Sequence, residues 1–93
     1  MAEQTQRQMF ACPCCGYFTL EDSGGFCLCP VCYWEDDGQG DHDANVVRGG
    51  PNGSLSLTDA RANYAAFGAS MPDRAAYVRP PRHDEMPPTR PTE

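Results

Sequence analysis

Two Cys-x-x-Cys motifs constrain this chain more than any other feature of its sequence. The first motif is Cys12-Pro13-Cys14-Cys15, the second is Cys29-Pro30-Val31-Cys32, and 13 residues separate them. Two thiolates three positions apart, joined by a tight turn, can both face one ion, and two such motifs supply the tetrahedral shell of a structural zinc site. The sequence therefore predicts a single zinc ion held by Cys12, Cys15, Cys29 and Cys32.

The chain is so short that metal binding is expected to determine whether it folds. It has 93 residues, and we predict a flexible leader over 1–9, one domain over 10–80 and a proline-rich tail over 81–93, either extended along the domain or used for docking. A body of roughly 70 residues gains only about 3–5 kcal/mol from its core. Binding of structural zinc contributes about 10–16 kcal/mol in finger peptides. The metal-free protein is therefore expected to be loose or unfolded.

Composition and charge limit the cellular compartments and the classes of partner that we expect for this chain. Six cysteines could form disulfides in a secreted domain, but residues 1–9 do not resemble a signal peptide and no stretch is long enough to span a membrane. We therefore predict a cytoplasmic protein with reduced thiols. Residues 1–47 hold eight acidic side chains against one arginine, and the chain has no lysine. Because phosphate backbones are bound through lysine and arginine, this charge disfavours nucleic acid as a partner.

The segment between the motifs has the pattern of a β-hairpin. Residues 17–20 are aromatic and β-branched, and residues 26–28 return toward the second motif after a glycine-containing turn. Alternation along the returning strand places Cys27 on the face opposite its two neighbours. Cys27 is therefore not expected to be a ligand.

A helix is expected after the turn at 49–53. Ser54 or Ser56 can cap it, and Gly68 can end it in a left-handed conformation. Its apolar stripe is formed by Leu57, Ala60, Tyr64 and Phe67. The predicted fold class is a small metal-stabilised α+β fold, a zinc-ribbon-like β-hairpin with a covering α-helix.

The acidic run over 35–43 is the second informative stretch, with five carboxylates, His42 and two glycines. It could be solvated, bind downstream arginines such as Arg61, hold a hard cation, or support acid–base catalysis by His42 with Asp41 or Asp43. The Gly-x₅-Glu continuation of an EF-hand is missing. Just before it, Trp34 is expected to pack the core over the metal site, with an exposed binding aromatic as the alternative.

Cys14 lies between two predicted ligands. Its role could be structural, it could be a reactive or sensing thiol, or it could replace a neighbouring ligand. A redox couple with Cys27 also stays open.

Five segments of the chain are similar to the pattern of a known family. They are CPCCGYFTL at 12–20, CPVCYWEDDGQ at 29–39, GPN at 50–52, SLSLTDARANYAAFGA at 54–69 and YVRP at 77–80. Through them the chain resembles the cysteine-rich CPCC family of small bacterial proteins over most of residues 10–80. The resemblance implies that Cys14 and the run from Trp34 to Asp37 belong to the family pattern and that Cys27 does not. It carries no established activity.

Taken together, the residues predict a zinc-stabilised protein-interaction module, and no catalytic residue is assigned. The expected partner surface is acidic, suits a basic protein by charge complementarity, and consists of Trp34, Glu35, Asp36 and Asp37. The alternatives are a small hydrolase-like enzyme that uses the acidic run and His42, a thiol redox sensor through Cys14, and a nucleic-acid-binding zinc ribbon.

Overall fold

The computed structural model describes residues 9–86. Most of the predicted leader and the second half of the predicted tail lie outside these residues. The strands are β1 (Phe10–Ala11) and β2 (Phe18–Leu20), and the single α-helix of the described range is α1 (Leu57–Phe67). Four 3-10 helices complete the described chain, at Asp41–Asp43, Gly50–Asn52, Pro72–Tyr77 and His83–Glu85.

Strands β1 and β2 form an antiparallel hairpin whose turn is the first motif. Phe10 pairs with Leu20 and Ala11 with Phe18, with a shift of register between the two pairs. The turn is closed by a 2.8 Å hydrogen bond from the Cys12 N–H to the Tyr17 carbonyl. Gly16 follows the last cysteine of the motif with φ of +86°, a conformation that glycine adopts without steric cost. The hairpin therefore presents the first pair of cysteines at its tip.

The second motif closes a turn of its own. Leu28 forms an antiparallel bridge with Glu35, and the Cys29 N–H donates to the Trp34 carbonyl at 3.0 Å. The sequence-predicted pairing of residues 17–20 with 26–28 is therefore wrong, although the predicted fold class is confirmed. The predicted turn at 21–25 is no longer than the turns of the two motifs, so loop length does not decide between these pairings. The motifs themselves do, because the Cys12 N–H bonds to Tyr17 and the Cys29 N–H bonds to Trp34, so that each motif joins its own two flanks.

Helix α1 begins and ends where the sequence predicts. Ser56 is the N-cap: its side chain accepts the Asp59 N–H at 3.0 Å while the Asp59 carboxylate accepts the Ser56 N–H at 3.4 Å, which is a capping box. Gly68 ends the helix with φ of +83° and donates to the Tyr64 carbonyl. Within residues 9–86 no helix combines the length and the apolar character needed to cross a bilayer.

The core is built around Trp34 and the cysteine motifs. Trp34 is completely buried, so the prediction of a core tryptophan is confirmed and the exposed-aromatic alternative is wrong. Leu57 of α1 is also completely buried, whereas Phe67 at the other end of the apolar stripe is largely exposed. Only the first turns of the helix therefore cover the core, and Phe67 instead lines a surface groove beside residues 78–81.

Residues 79–86 lie on the domain, and we refer to them as the C-terminal clasp. The Arg79 N–H donates to the Pro30 carbonyl at 3.1 Å, and the 3-10 helix His83–Glu85 packs against β2. Of the two sequence-based alternatives for the start of the tail, this arrangement fits the one in which it lies on the domain. The boundary at residue 80 stays a prediction.

Candidate metal centre

The structure brings together the four cysteines that the motif spacing selects. The sulfur atoms of this cysteine cluster all lie within 4.8 Å of one another, and the cluster consists of Cys12, Cys15, Cys29 and Cys32. All of these cysteines are free. The Sγ atoms of Cys12 and Cys32 are 3.6 Å apart and those of Cys15 and Cys29 are 3.7 Å apart, far beyond the ~2.05 Å of a disulfide.

These separations fit a tetrahedral ion. Metal–sulfur bonds of about 2.3 Å in a tetrahedral site place the sulfurs about 3.8 Å from one another. The observed separations of 3.6 and 3.7 Å are close to that edge length. Four cysteines are therefore positioned to hold one metal ion.

The cysteine cluster is closed on most sides. Cys12, Cys29 and Cys32 are almost completely buried, and only Cys15 has intermediate exposure. The Thr19 hydroxyl lies 3.0 Å from the Cys29 sulfur, which also accepts the Val31 N–H at 3.4 Å. Hydrogen bonds of this kind orient a thiolate and offset part of its charge. The surroundings therefore stabilise an ionised ligand and leave little space for an added substrate.

The electrostatics of the cysteine cluster favour a cation. Hydrogen bonds from Cys12, Cys15 and Cys32 hold the pKa of the Cys29 thiol far below its usual range. In contrast, the hydrogen bond with Cys15 raises the pKa of Cys12, and burial raises it further. Without a cation the crowded thiols therefore cannot ionise together. A divalent ion replaces the shared protons, which couples metal binding to proton release.

The two remaining cysteines lie outside the cysteine cluster. Cys14 is buried in the core between the ligand positions, and Cys27 is partly buried against the same core. The alternation argument for Cys27 therefore agrees with the structure. Cys14 is not one of the four sulfurs that lie within 4.8 Å of one another, although its side chain makes a hydrogen bond with Cys32. Its burial is typical of a structural thiol.

Three of the four residues of the predicted partner surface are buried. Trp34, Asp36 and Asp37 are exposed by only 0%, 4% and 9%, and Glu35 alone has intermediate exposure. The reason is that the carboxylates accept backbone N–H groups. Asp36 accepts from Gly24 at 2.6 Å and from Gly38 at 3.2 Å. This side chain therefore fastens the exposed turn after β2 to the second motif.

Two amide side chains with structural roles were not singled out by sequence reasoning. Asn52 exchanges two hydrogen bonds with the backbone of Glu35, at 3.1 and 2.7 Å, and so imitates a neighbouring strand. Gln39 donates to the Asp43 and Val46 carbonyls at 2.9 and 2.7 Å. Asn52 follows a proline and precedes a glycine, a turn signal that predicts its backbone but not its distant partner.

The far end of the acidic run is bound to arginines. Arg61 of α1 pairs with Asp41 at 2.8 Å and donates to the Pro13 carbonyl at 2.9 Å, so the predicted pairing of Arg61 within the fold is confirmed. The Gly40 N–H, together with the Arg48 guanidinium, holds the pKa of Asp43 below its usual range. The His42 side chain is 78% exposed. His42 Nε2 lies 3.6 Å from the Asp43 carboxylate, and both acidic neighbours of His42 are already bound to arginines.

Fold and site together define a small domain organised around a four-cysteine metal site. A family model described as cysteine-rich CPCC matches residues 10–85. The chain therefore belongs to the cysteine-rich CPCC family. No curated protein and no solved structure gives a significant match to it.

Proposed function

We propose that the cysteine cluster holds one zinc ion whose role is structural. The observation that carries this proposal is the set of four nearly enclosed sulfurs at tetrahedral separations. Zinc prefers such a closed four-thiolate shell in structural sites, whereas catalytic zinc keeps a position open for water. The metal supplies the folding free energy that a core of this size lacks.

Metal analysis of protein purified without added metal tests this proposal. We expect one zinc per chain, because four thiolates satisfy one tetrahedral ion. The variant Cys29→Ser should lose the zinc, and the control Cys27→Ser should retain it. Iron also accepts four thiolates, so a coloured, iron-containing protein, or a folded protein without any metal, would overturn the assignment.

The surface beside the second motif supports a second part of the proposal, a role as a protein-interaction module. Phe26 and Leu28 are 55% and 42% exposed. Leu28 borders a groove of about 360 Å³ whose other lining residues are Thr19, Glu21, Cys27 and Pro30. Exposed apolar side chains next to a groove are typical of binding surfaces. This interaction groove replaces the acidic run as the proposed docking site.

The backbone at Leu28 favours an extended partner. Hydrogen bonds on either side of the Leu28–Glu35 bridge join Cys29 to Trp34 and Asp36 to Cys27. In such an antiparallel pair, the N–H and C=O of Leu28 point away from Glu35. A partner strand can therefore add along this edge through main-chain hydrogen bonds.

Charge specifies the chemistry of that partner. Residues 10–47 contain seven carboxylates and no lysine or arginine. One of these carboxylates, Glu21, lines the interaction groove. A segment that alternates basic with apolar side chains would complement both this carboxylate and the exposed apolar side chains beside it. We therefore propose a basic, extended protein segment as the partner.

A synthetic peptide that alternates arginine with leucine is a suitable probe. Its fluorescence anisotropy with the zinc-loaded chain should show binding that weakens at least tenfold in the double variant Phe26→Ser/Leu28→Ser. The matched control is Val46→Ser, which alters an equally exposed apolar side chain elsewhere. A peptide with serine in place of leucine should bind more weakly. Equal loss in the control variant, or no loss in the double variant, would count against this surface.

A further inference from the structure

The C-terminal clasp is fastened by an ion pair whose carboxylate is buried. The Arg79 guanidinium donates two hydrogen bonds to the Glu85 carboxylate, at 2.9 and 2.8 Å, and the Arg82 N–H donates to the same carboxylate at 2.8 Å. Glu85 is only 4% exposed. Parallel bonds from one guanidinium are strong and geometrically specific. The ends of the clasp are therefore held together as a closed loop.

This closed loop spans the two halves of the metal centre. At one end Arg79 is bound to the Pro30 carbonyl, inside the second motif. At the other end, the 3-10 helix His83–Glu85 packs against β2, the strand that follows the first motif. Because each motif closes its own turn, the hairpins are not paired with each other as strands. The clasp links them from outside.

Because three of the four cysteines are almost completely buried, an ion held by all four leaves more easily when the motifs separate. The sulfurs of Cys12 and Cys32, which belong to different motifs, face each other in the interior. Separation of two packed elements in a native protein is a local unfolding event, and the contacts that bridge those elements set its frequency. The clasp provides such contacts on both sides of the gap.

We propose that the clasp is a latch on the metal centre and that its opening controls the rate of metal exchange. This inference rests on the proposed zinc site. A latch slows both the entry and the exit of the ion, so its loss changes the two rates more than the equilibrium affinity. The match to the family model extends to residue 85 of this chain and thus includes the ion-paired carboxylate of the clasp.

Stopped-flow transfer of zinc from the loaded full chain to an excess of a coloured chelator tests the latch. Glu85→Gln removes the charge but preserves the size of the side chain, and it should accelerate release by about ten- to a hundredfold, the range expected for a lost charge-assisted hydrogen bond. The matched control is Asp84→Asn, because Asp84 is the exposed neighbour that meets Arg82 at 3.4 Å. Its release rate should stay within about twofold of wild type, as expected for a surface pair.

The rate of zinc entry distinguishes a latch from general destabilisation. In Glu85→Gln the entry rate should rise together with the exit rate, which leaves the dissociation constant within about tenfold of wild type. Faster exit with unchanged entry would overturn the latch. An unchanged exit rate in a Glu85→Gln protein that binds one zinc would also overturn the latch and would leave the zinc site intact. A wild-type protein that contains no zinc would overturn both proposals.

The wild-type protein offers a test that does not depend on a folded variant. Hydrogen exchange reports opening of the bond from the Arg79 N–H to the Pro30 carbonyl. At saturating chelator, zinc release should be no faster than the opening rate of this amide. Release that outpaces it would contradict the latch.

Discussion

The metal-binding region at 12–32 and the acidic run at 35–43 both concentrate side chains that can hold a cation, and they use them in opposite ways. In the first region the sulfurs turn toward one another and form a single cluster. In the second region Asp36 accepts backbone N–H groups, and Asp41 and Asp43 bind arginines. The metal-binding region is arranged for an ion, and the acidic run is arranged for the fold itself.

The two regions differ in how far apart in the sequence their interacting groups lie. A Cys-x-x-Cys turn places its two sulfurs together through local backbone geometry, so spacing alone identifies the ligands. The fate of a carboxylate depends on which donors the fold delivers to it. Asp36 binds the N–H of Gly24, which is 12 residues away. Sequence spacing therefore identifies a cysteine metal site more reliably than the composition of a segment identifies a binding surface.

Loss of one ligand should have the largest effect. Cys29→Ser removes a sulfur that takes part in three hydrogen bonds, and the folded state should be lost, because binding of structural zinc contributes about 10–16 kcal/mol. Circular dichroism and thermal unfolding would measure this. Cys27→Ser is the control and should cost less than about 2 kcal/mol; a folded Cys29→Ser protein would contradict the structural role of the site.

The loss of stability on substitution should be the next largest effect for a buried carboxylate and much smaller for an exposed one. Asp36→Asn places an amide NH₂ against a backbone N–H and should cost about 2–4 kcal/mol, since hydrogen bonds to charged groups contribute about 1.5–3 kcal/mol each. Urea unfolding of the zinc-loaded protein would measure the cost. The control Asp41→Asn alters a surface ion pair and should cost less than about 1 kcal/mol. Equal costs would remove the distinction between the two ends of the acidic run.

The helix cap should have a smaller effect. Ser56→Ala removes the side-chain acceptor of the Asp59 N–H and should cost about 1 kcal/mol. Ser54→Ala is the control, because Ser54 is exposed and precedes the cap, and the same urea unfolding should show no measurable change. A larger cost for Ser54→Ala would contradict the assignment of Ser56 as the cap.

The smallest expected effect is that of pH on the zinc-release rate of Glu85→Gln relative to that of the wild type. Hydrogen bonds from Arg79 lower the pKa of Glu85 to about 2, below the ~4.3 of an unperturbed glutamate. Its stabilisation is therefore present above about pH 4.3 and is lost as the pH falls toward 2. The ratio of zinc-release rates between Glu85→Gln and wild type should stay constant from about pH 6 to pH 9. A ratio that changes over this range would mean that a different group fastens the clasp.

The parts of the fold that could be predicted are those with local causes. Spacing identifies the ligand cysteines, and capping chemistry places Ser56 and Gly68 at the ends of α1. The strand pairing was missed because residues 26–28 have the composition of a strand whichever segment they pair with. The ion-paired closure of the clasp was missed because alternation of proline with charge is typical of a tail, and nothing local shows that Glu85 meets Arg79. Such long-range partners are set by the folded chain as a whole.

The order of these parts along the chain has a consequence for synthesis. All four cysteines of the cluster lie within residues 12–32, whereas the clasp begins at residue 79. Chains emerge from the ribosome with the N-terminal end first, at about 5–20 residues per second. The ligands are therefore exposed to the cell for several seconds before the clasp exists. A nascent chain thus has an interval in which an ion can enter freely, and completion of the chain ends that interval.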